Sequence, residues 1–470
     1  MRGSVQTREP NMRLFYSVWG TQLASVLASY LTEFALSVWV YQRTQSITDF
    51  AYTSLFSTLP GMLVAPLAGT VVDLYDRRTV MMLADSVAVL CTVAMMLLEY
   101  SAQSLQVWHV CLSGLVVSIA NTFQGPAYQT SLVQLVPKTH LDRANAMVEV
   151  GDGLCELVCP LLASALLVSV GLPVIMLIDV CAFLVAVLTL AVVRFPPVPR
   201  SADGRASDGS WIGELGLGFR WLATRPGLVA LVLTFAVANF VSEFIFQLVP
   251  PLILRIASVQ ELGYVSSFAG TGVLLSSVAV AVRGAPSARV MTICLVLAAQ
   301  GLVMFCAVLH LSCVTVAFSG FVYMLGEPLL QACSQGIWMT KVPTDLQGRV
   351  HSARRIVTTA AIPLATVLSG HLADHFERWF AEDGPLIGSP AAMIMGVGPG
   401  RGICCLFVTL GLIAVTSSLL ALLYGPLRHL EASIPDAFLV VREEEGEEHE
   451  EEYTEHADQR LKDEHAKKQR

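Results

Sequence analysis

Apolar segments long enough to cross a lipid bilayer recur along almost the whole chain, and no other feature limits the fold as strongly. A bilayer core of roughly 30 Å takes about 20 residues of helix. We recognise about twelve such segments, near residues 15–41, 50–74, 80–99, 105–130, 145–169, 171–193, 227–254, 262–282, 288–308, 312–339, 351–376 and 403–424. We therefore expect an all-α integral membrane protein with twelve transmembrane helices.

The composition excludes a soluble domain. Of the 470 residues, 54% are apolar and only 14% are charged, which a water-soluble protein of this length would not show. The first apolar segment is longer than a signal-peptide core, contains Glu33 and lacks a cleavage site, so helix 1 is expected to remain in the mature protein. The cysteines lack metal-ligand or Cys-x-x-Cys spacing, and we expect no metal site and no cofactor.

Lysine and arginine are distributed unevenly between the two sides of the predicted helices. If the N-terminus lies inside, the inner connections hold most of the positive charge. The outer side is left with Arg43, Arg255, Arg378 and Arg401. Because positive residues are retained on the cytoplasmic side, this bias predicts an even number of helices with both termini in the cytoplasm of a multi-pass cell-membrane protein.

A polar stretch divides the chain into two parts of similar length. The predicted units are an N-terminal six-helix bundle over 1–193, a cytoplasmic linker with a short amphipathic helix over 194–226, a C-terminal six-helix bundle over 227–425 and an acidic disordered cytoplasmic tail over 426–470. The glutamate run in the tail is expected to be solvated. A solubilising role for the tail is favoured over an interaction role.

The two halves share local features that indicate an internal duplication. A Val-Pro pair is followed, six residues after the proline, by Arg143 before helix 5 and by Arg349 before helix 11. Pro160 and Pro363 then interrupt these two helices at comparable depths. Repeated halves are a common way to build transporters, and the substrate site then lies at their interface near mid-membrane.

The connection between helices 2 and 3, residues 69–78, resembles the signature of the major facilitator superfamily, G-x-x-x-D-x-x-G-R-[KR]. Gly69, Asp73, Arg77 and Arg78 match the pattern, and Asp76 stands where the general pattern has glycine. With residues 31–41 of helix 1 and 82–85 of helix 3, this variant resembles the drug-exporting branch that includes macrolide efflux and enterobactin export proteins. The resemblance covers the chain to about residue 425. It implies two pseudo-symmetric six-helix bundles whose helices 1, 4, 7 and 10 line a central cavity.

Two positions depart from the family patterns that concern mechanism. Exporters of the superfamily often carry an arginine three residues before the Gln-Gly pair of helix 4, and here Asn121 takes its place. The Gly-Pro-x-x-Gly-Gly element of antiporters is matched only in part by residues 159–164 of helix 5. Both departures weaken the resemblance to a proton-coupled antiporter.

Polar residues are concentrated on single faces of helices 1, 4, 7 and 10. A charge that faces lipid costs at least about 2.5 to 3.5 kcal/mol, and spacings of three, four and seven keep residues on one side of a helix. We therefore expect these faces to line an internal cavity. The cavity-lining candidates are Gln22, Asn121, Gln124, Tyr128, Asn239, Gln247, Tyr323 and Gln331.

Acidic residues within the predicted helices are candidates for proton coupling or substrate contact. Helix 5 carries Glu149, Asp152 and Glu156 on one stripe, where three ionised carboxylates would repel one another. Alternatively, Glu149 pairs with Arg143 and Asp152 makes a structural hydrogen bond to a neighbouring helix. The candidates are Glu33, Asp152, Glu156, Glu243 and Glu327, and Asp179 ranks below them.

Asp73 is expected near the C-terminal end of helix 2, where the helix dipole disfavours an anion. It therefore needs a partner, and cations stand beside it in the sequence and at the start of helix 11. In the family this acid helps to hold the two halves together on the cytoplasmic side when the cavity opens outward. The resemblance thus implies a conformational latch formed by Gly69, Asp73, Asp76, Arg77, Arg78, Arg354 and Arg355.

The sequence predicts a secondary active transporter that exports amphipathic or hydrophobic small molecules by alternating access. Proton antiport is the expected energy source, since we find no Walker-type phosphate loop and no catalytic constellation, so an enzyme is not expected. The expected partners are a small-molecule substrate, protons and the lipid bilayer, without nucleic acid. Two alternatives stay open: an importer or uniporter of the same fold, and a non-transporting membrane receptor or assembly partner.

Overall fold

The computed structural model describes residues 11–101, 105–193, 195, 211–309, 311–343 and 346–434. Within these ranges every regular element is a helix. The first half contains α1 (Met12–Thr44), α2 (Ile47–Leu74), α3 (Arg77–Tyr100), α4 (Val107–Leu135), α5 (Leu141–Ser169) and α6 (Leu172–Val192). A 3₁₀ turn, Lys138–His140, precedes α5.

The described part of the linker contributes one helix, and a second set of long helices follows. The linker helix is α7 (Trp211–Ala223). The second half contains α8 (Pro226–Ile256), α9 (Val259–Arg283), α10 (Arg289–Leu309), α11 (Cys313–Lys341), α12 (Gln347–Trp379), α13 (Pro390–Met395), α14 (Arg401–Leu423), α15 (Gly425–Arg428) and α16 (Leu430–Ser433).

The prediction of an all-α membrane fold is confirmed. A helix occupies each of the predicted spans: α1 to α6 for the first half, then α8 to α12 and α14 for the second. Eleven of the described helices are long and apolar enough to cross a membrane, and α10 enters only as a shorter apolar helix over Arg289–Phe305. Each of the twelve predicted spans therefore has a helix, and within the described residues eleven of these helices have the length and composition of a membrane span.

The helix ends follow from local sequence signals. Ser46 caps α2 by accepting a hydrogen bond from the Asp49 backbone N–H at 3.1 Å. Ser258 and Glu261 form a reciprocal capping box at the start of α9. Such caps satisfy N–H groups that have no partner within the helix, so polar residues between apolar runs set the start of these two helices.

Helices of one half pack mainly against one another, and two seams join the halves. Within the first half the main pairs are α2 with α4, α3 with α4 and α1 with α6; within the second they are α9 with α11, α10 with α14 and α8 with α12. The seams between the halves are formed by α2 with α12 and by α5 with α9. The two helices of each seam run in opposite directions.

The bundle has two ends, which we name for what they carry. The termini end carries the start of α1, the α2–α3 connection and the end of α14, and Asn11 donates there to the carbonyl of Leu135 at the end of α4 (3.0 Å). The far end carries the α1–α2 connection and the end of α12, where Ser46 contacts Asp374.

Packing between the halves is concentrated at the far end. One core cluster of the described residues combines Val38, Tyr41 and Phe50 from the first half with Phe244 and Leu252 from the second. The other clusters each draw their buried residues from a single half. The structure is therefore closed by packing at the far end, whereas the cores of the two halves stay separate toward the termini end.

The start of the predicted tail folds onto the second half. Residues 426–434 were expected to be disordered, but Leu427 and Leu430 are buried, and Glu431 accepts a hydrogen bond from the Arg289 backbone N–H (2.9 Å). Residues 427 and 430 are leucines, and their apolar side chains account for this packing. Residues 435–470, which hold that run, lie outside the described part of the chain.

Candidate functional site

A cavity of about 620 Å³ lies between the two halves. The first half contributes residues of α1, α2 and α5, and the second half contributes residues of α8, α9, α10, α11 and α14. Its walls are mainly apolar and aromatic, including Phe34, Phe50, Leu157, Ile245, Phe246, Val249, Val273, Met304, Met324 and Phe407. A pocket of this size and lining suits an organic molecule with a large apolar body.

Two carboxylates face this apolar space. Glu33 on α1 and Glu156 on α5 line the cavity, and both side chains are exposed to it. No lysine, arginine or histidine of the described residues lines it. An ionised carboxylate attracts positive charge and repels negative charge, so these two side chains give the described part of the wall an acidic character.

Asp152 extends the acidic surface along α5 toward the termini end. Tyr30 lies within electrostatic range of Glu33, Asp152 and Glu156, and Tyr128 of α4 lies within range of Asp152. Among the described residues, Glu33, Asp152 and Glu156 make no ion pair and no side-chain hydrogen bond. Asp152 therefore does not have the structural hydrogen bond considered as its alternative role.

Tyr323 of α11 also lines the cavity, and both its hydroxyl and its backbone carbonyl are hydrogen-bonded. Its hydroxyl lies 2.7 Å from the Ser242 Oγ of α8. Its carbonyl accepts a hydrogen bond from Gln300 Nε2 at 3.0 Å, and the same nitrogen donates to Glu327 Oε1 at 3.2 Å. Glu327 is thus bound within the second half, and it is not a lining residue of the cavity.

Glu243 belongs to a hydrogen-bond network that crosses between the halves. Its Oε1 accepts from Thr366 Oγ1 of α12 and from Gln247 Nε2, both at 2.7 Å. The same Gln247 nitrogen donates to Ser54 Oγ of α2 in the other half at 2.6 Å. Gln247 was expected to line the cavity, but it is buried between the halves. Its amide nitrogen binds the carboxylate of Glu243 and the hydroxyl of Ser54.

Gln22 and Gln124 lie in a buried network of the first half instead of the cavity wall. Gln22 Nε2 donates to Asp85 Oδ2 of α3 at 3.0 Å, and Gln22 Oε1 accepts from Gln124 Nε2 at 2.7 Å. Gln22 and Asp85 are both buried. A buried carboxylate requires donors, so the amide of Gln22 points to α3 and is not available to the cavity.

The remaining polar candidates occupy several environments. Asp179 accepts from Thr92 Oγ1 at 2.9 Å and from Ser29 Oγ at 3.4 Å, which makes it a structural link between α6, α3 and α1. Asn239 Nδ2 donates to the Thr358 carbonyl at 3.0 Å. Asn121 and Gln331 are exposed, but neither lines the cavity.

Arg77 and Arg78 of the predicted latch bind backbone carbonyls within the first half. Arg77 Nη1 donates to the Thr130 carbonyl of α4 at 3.0 Å, and Arg78 donates to the carbonyls of Leu190 and Ala191 at the end of α6. These carbonyls lie near helix C-termini, where positive charge is favoured.

Asp76 and the cations of α12 complete the described part of the latch. Asp76, which replaces the glycine of the family pattern, caps α3 by accepting from the Arg78 backbone N–H (3.2 Å). The Arg354 guanidinium lies 5.1 Å from the ring centre of Trp338 in its own half, and Arg355 is exposed. The remaining latch residues, Gly69 and Asp73, lie within α2, and the surroundings of the Asp73 side chain lie outside the described part of the structure.

The far end contains an ion pair that the sequence analysis missed. Arg255 Nη1 of α8 lies 2.8 Å from Glu377 Oε2 of α12, and Arg255 Nε donates to the Tyr41 hydroxyl of α1 at 2.8 Å. Glu377 also accepts from the backbone N–H groups of Gly400 and Ile403 at the start of α14. The sequence held one signal for this pair: Arg255 and Glu377 directly follow the predicted helices 7 and 11, which end on the same side of the membrane.

Comparisons with known proteins agree with this architecture. A family model described as Major Facilitator Superfamily matches residues 18–366. Macrolide efflux protein A of Streptococcus pyogenes is 25% identical over 389 residues, which cover 79% of this chain and 93% of that protein. Multidrug efflux pump Tap of Mycolicibacterium fortuitum is 26% identical over 355 residues, which cover 71% and 83%.

Solved structures of transporters share the fold at low sequence identity. A bacterial homologue of the human lysosomal transporter Spinster aligns with a TM-score of 0.60 at 16% identity and covers 89% of this chain and 95% of that chain. A POT family transporter in complex with a thioalcohol-conjugated peptide aligns with a TM-score of 0.63 at 13% identity and covers 88% and 96%.

Proposed function

Because the chain belongs to the Major Facilitator Superfamily, we propose that it is a secondary transporter that exports amphipathic small molecules by alternating access. The observation that carries the proposal is the apolar cavity between the two halves, with Glu33 and Glu156 in its wall. The export direction is supported by the relatives named for macrolide and multidrug efflux.

The lining of the cavity defines the chemistry of a suitable substrate. The apolar walls would receive a hydrophobic body, and the aromatic faces of Phe34, Phe246 and Phe407 add favourable contacts with a cation. The two carboxylates would attract a protonated or quaternary amine. We therefore propose that lipophilic cations are the preferred substrates and that organic anions are excluded by repulsion.

The arrangement of the seams supports alternating access. If the termini end faces the cytoplasm, as the distribution of arginine and lysine predicts, this structure is a state closed to the outside. A substrate from the cytoplasm or the inner leaflet would then enter from the termini end. Export requires the far end to open while the termini end closes, and there Asp73, with the residues around it, is proposed to act as the latch.

Proton coupling is proposed for the carboxylates that share the cavity. A bound cation and a proton would compete for Glu33 and Glu156, because each neutralises the same negative charge. Such competition gives exchange of substrate against protons when the halves rearrange only with these carboxylates occupied. Asp152, further along α5, would pass protons between this pair and the termini end. Glu243 contacts both seam helices α2 and α12 through its network, and Glu327 supports Tyr323.

Growth protection tests the proposal with the fewest assumptions. Cells that express the protein and matched cells that lack it would be exposed to a panel of lipophilic amines, macrolides, neutral amphiphiles and organic anions of similar size. We expect higher inhibitory concentrations for the cationic compounds in the expressing cells, with lower accumulation of a fluorescent cationic compound. Increased accumulation would indicate an importer, and an unchanged panel would favour the non-transporting alternative.

A further inference from the structure

The start of α2 has backbone N–H groups that its own residues do not satisfy. The first N–H groups of a helix have no partner one turn earlier. The Ser46 side chain serves the Asp49 N–H at 3.1 Å. The N–H groups of Ile47 and Thr48 precede it in the chain and need acceptors from elsewhere.

Asp374 of α12, in the other half, supplies those acceptors. Its Oδ1 accepts from the Ile47 N–H at 3.0 Å, and its Oδ2 accepts from the Thr48 N–H at 2.9 Å. Oδ2 also accepts from the hydroxyls of Thr48 at 2.7 Å and Ser46 at 3.2 Å. A carboxylate at a helix N-terminus is favoured by the helix dipole and by charge-assisted hydrogen bonds.

The backbones of α2 and α12 approach closely beside this cap. One turn before Asp374, Gly370 packs against α2 so tightly that an added Cβ would lie 2.7 Å from the Thr48 Cα and 3.0 Å from the Ala51 Cβ. Asp374 is therefore placed at the first turn of α2 by helix packing, not by a flexible loop. Separation of the seam would leave both the carboxylate and the two N–H groups to be hydrated again.

We propose that Asp374 closes the far end of the substrate path by capping α2 from the opposite half, and that loss of this cap accompanies far-end opening. The inference rests on the proposed function, since a gate has a purpose only if substrate passes between the halves. Asp374 lies outside the connection between α2 and α3 and outside the cavity wall. It is a positioning residue that sets the balance between two states.

Cysteine labelling of Ala51 measures far-end opening without any substrate. Ala51 is buried beside Gly370, so a maleimide reaches a cysteine there only when the seam separates. The parent protein would carry Ala51→Cys in a background in which the 11 native cysteines are replaced. Labelling rates in detergent would be compared for Asp374→Ala, Thr48→Val and Asp383→Ala. Asp383 is an exposed acid near the same end of the bundle and is the matched control.

We expect Asp374→Ala to label about tenfold faster than the parent, because the closed state loses its cap. Thr48→Val removes one of the four hydrogen bonds and should label about threefold faster, and Asp383→Ala should match the parent. Parental rates in monodisperse Asp374→Ala and in Thr48→Val would overturn the proposal. If Asp374→Ala fails to fold, Thr48→Val decides alone. A failure of export in cells leaves these rates unaffected, so the gate and the transport function are tested separately.

Discussion

At the scale of single residues, the structure separates the acids of this membrane protein into groups with different surroundings. Asp85 and Asp179 are buried and hydrogen-bonded within the first half. Glu33 and Glu156 face the cavity and have no ion-pair or hydrogen-bond partner in the described part of the chain. A buried, bonded carboxylate contributes to stability, whereas an unpaired carboxylate in a cavity is available to a ligand or a proton.

The substrate role of the cavity carboxylates is open to a direct test. We expect Glu33→Gln and Glu156→Gln each to reduce export of a lipophilic cation about tenfold, since each removes one negative charge from the binding space. Export of a neutral amphiphile of similar size should change by less than about twofold. Initial efflux rates from loaded cells would measure both, with Glu382→Gln, in an exposed loop, as the control. Equal losses for the cationic and the neutral compound would contradict a charge-based role.

Sequence periodicity located these acids but could not separate their roles. Gln22 and Glu33 both belong to the polar face predicted for helix 1, yet Gln22 bonds to α3 and α4, and Glu33 lines the cavity. Spacing of three and four fixes only the side of an isolated helix. Which neighbour lies on that side depends on the tilt and depth of other helices, which are not written in the local sequence.

At the scale of helices, the prediction was closest where the signal is local. The predicted second span, 50–74, corresponds to α2 at Ile47–Leu74, because an apolar run bounded by Ser46 and the charged connection defines both ends. The contact between Asp374 and Ser46 joins residues 328 positions apart. No local pattern reports such a contact.

In the antiparallel pair of α2 and α12, an aspartate lies near each end of the seam. At the far end, Asp374 caps α2. At the termini end, Asp73 lies close to the end of α2, and α12 begins at Gln347. If Asp73 is the latch of the alternate state, the two acids stabilise opposite conformations.

This relation predicts effects of opposite sign in one assay. In the Ala51→Cys labelling experiment, Asp73→Asn should slow labelling about threefold, because the state that is open at the far end loses its latch. Asp383→Asn is the control, since Asp383 is an exposed acid outside the predicted latch, and it should label at the parental rate. Faster labelling in Asp73→Asn would show that Asp73 holds the far end closed instead.

At the scale of the whole molecule, the two halves enclose one site and are joined more firmly at one end. Packing and hydrogen bonds between the halves lie mainly at the far end, and the cavity separates the halves deeper in the bundle. A ligand that binds equally well to the state open at the far end and to the state open at the termini end would not change the populations of these states. Coupling therefore requires that protons or substrate in the cavity change the relative stability of the two states.

Uphill transport by purified protein in liposomes tests the central claim most directly. A quaternary amine should be used as the substrate, because its permanent charge prevents passive trapping by protonation. With an acidic lumen, proton efflux should drive uphill accumulation of the amine. A protonophore should abolish this accumulation, and Glu33→Gln should slow it about tenfold. Protein-dependent entry that never exceeds the external concentration would contradict antiport. Entry no faster than in protein-free liposomes, under any gradient, would contradict the assignment as a transporter of lipophilic cations.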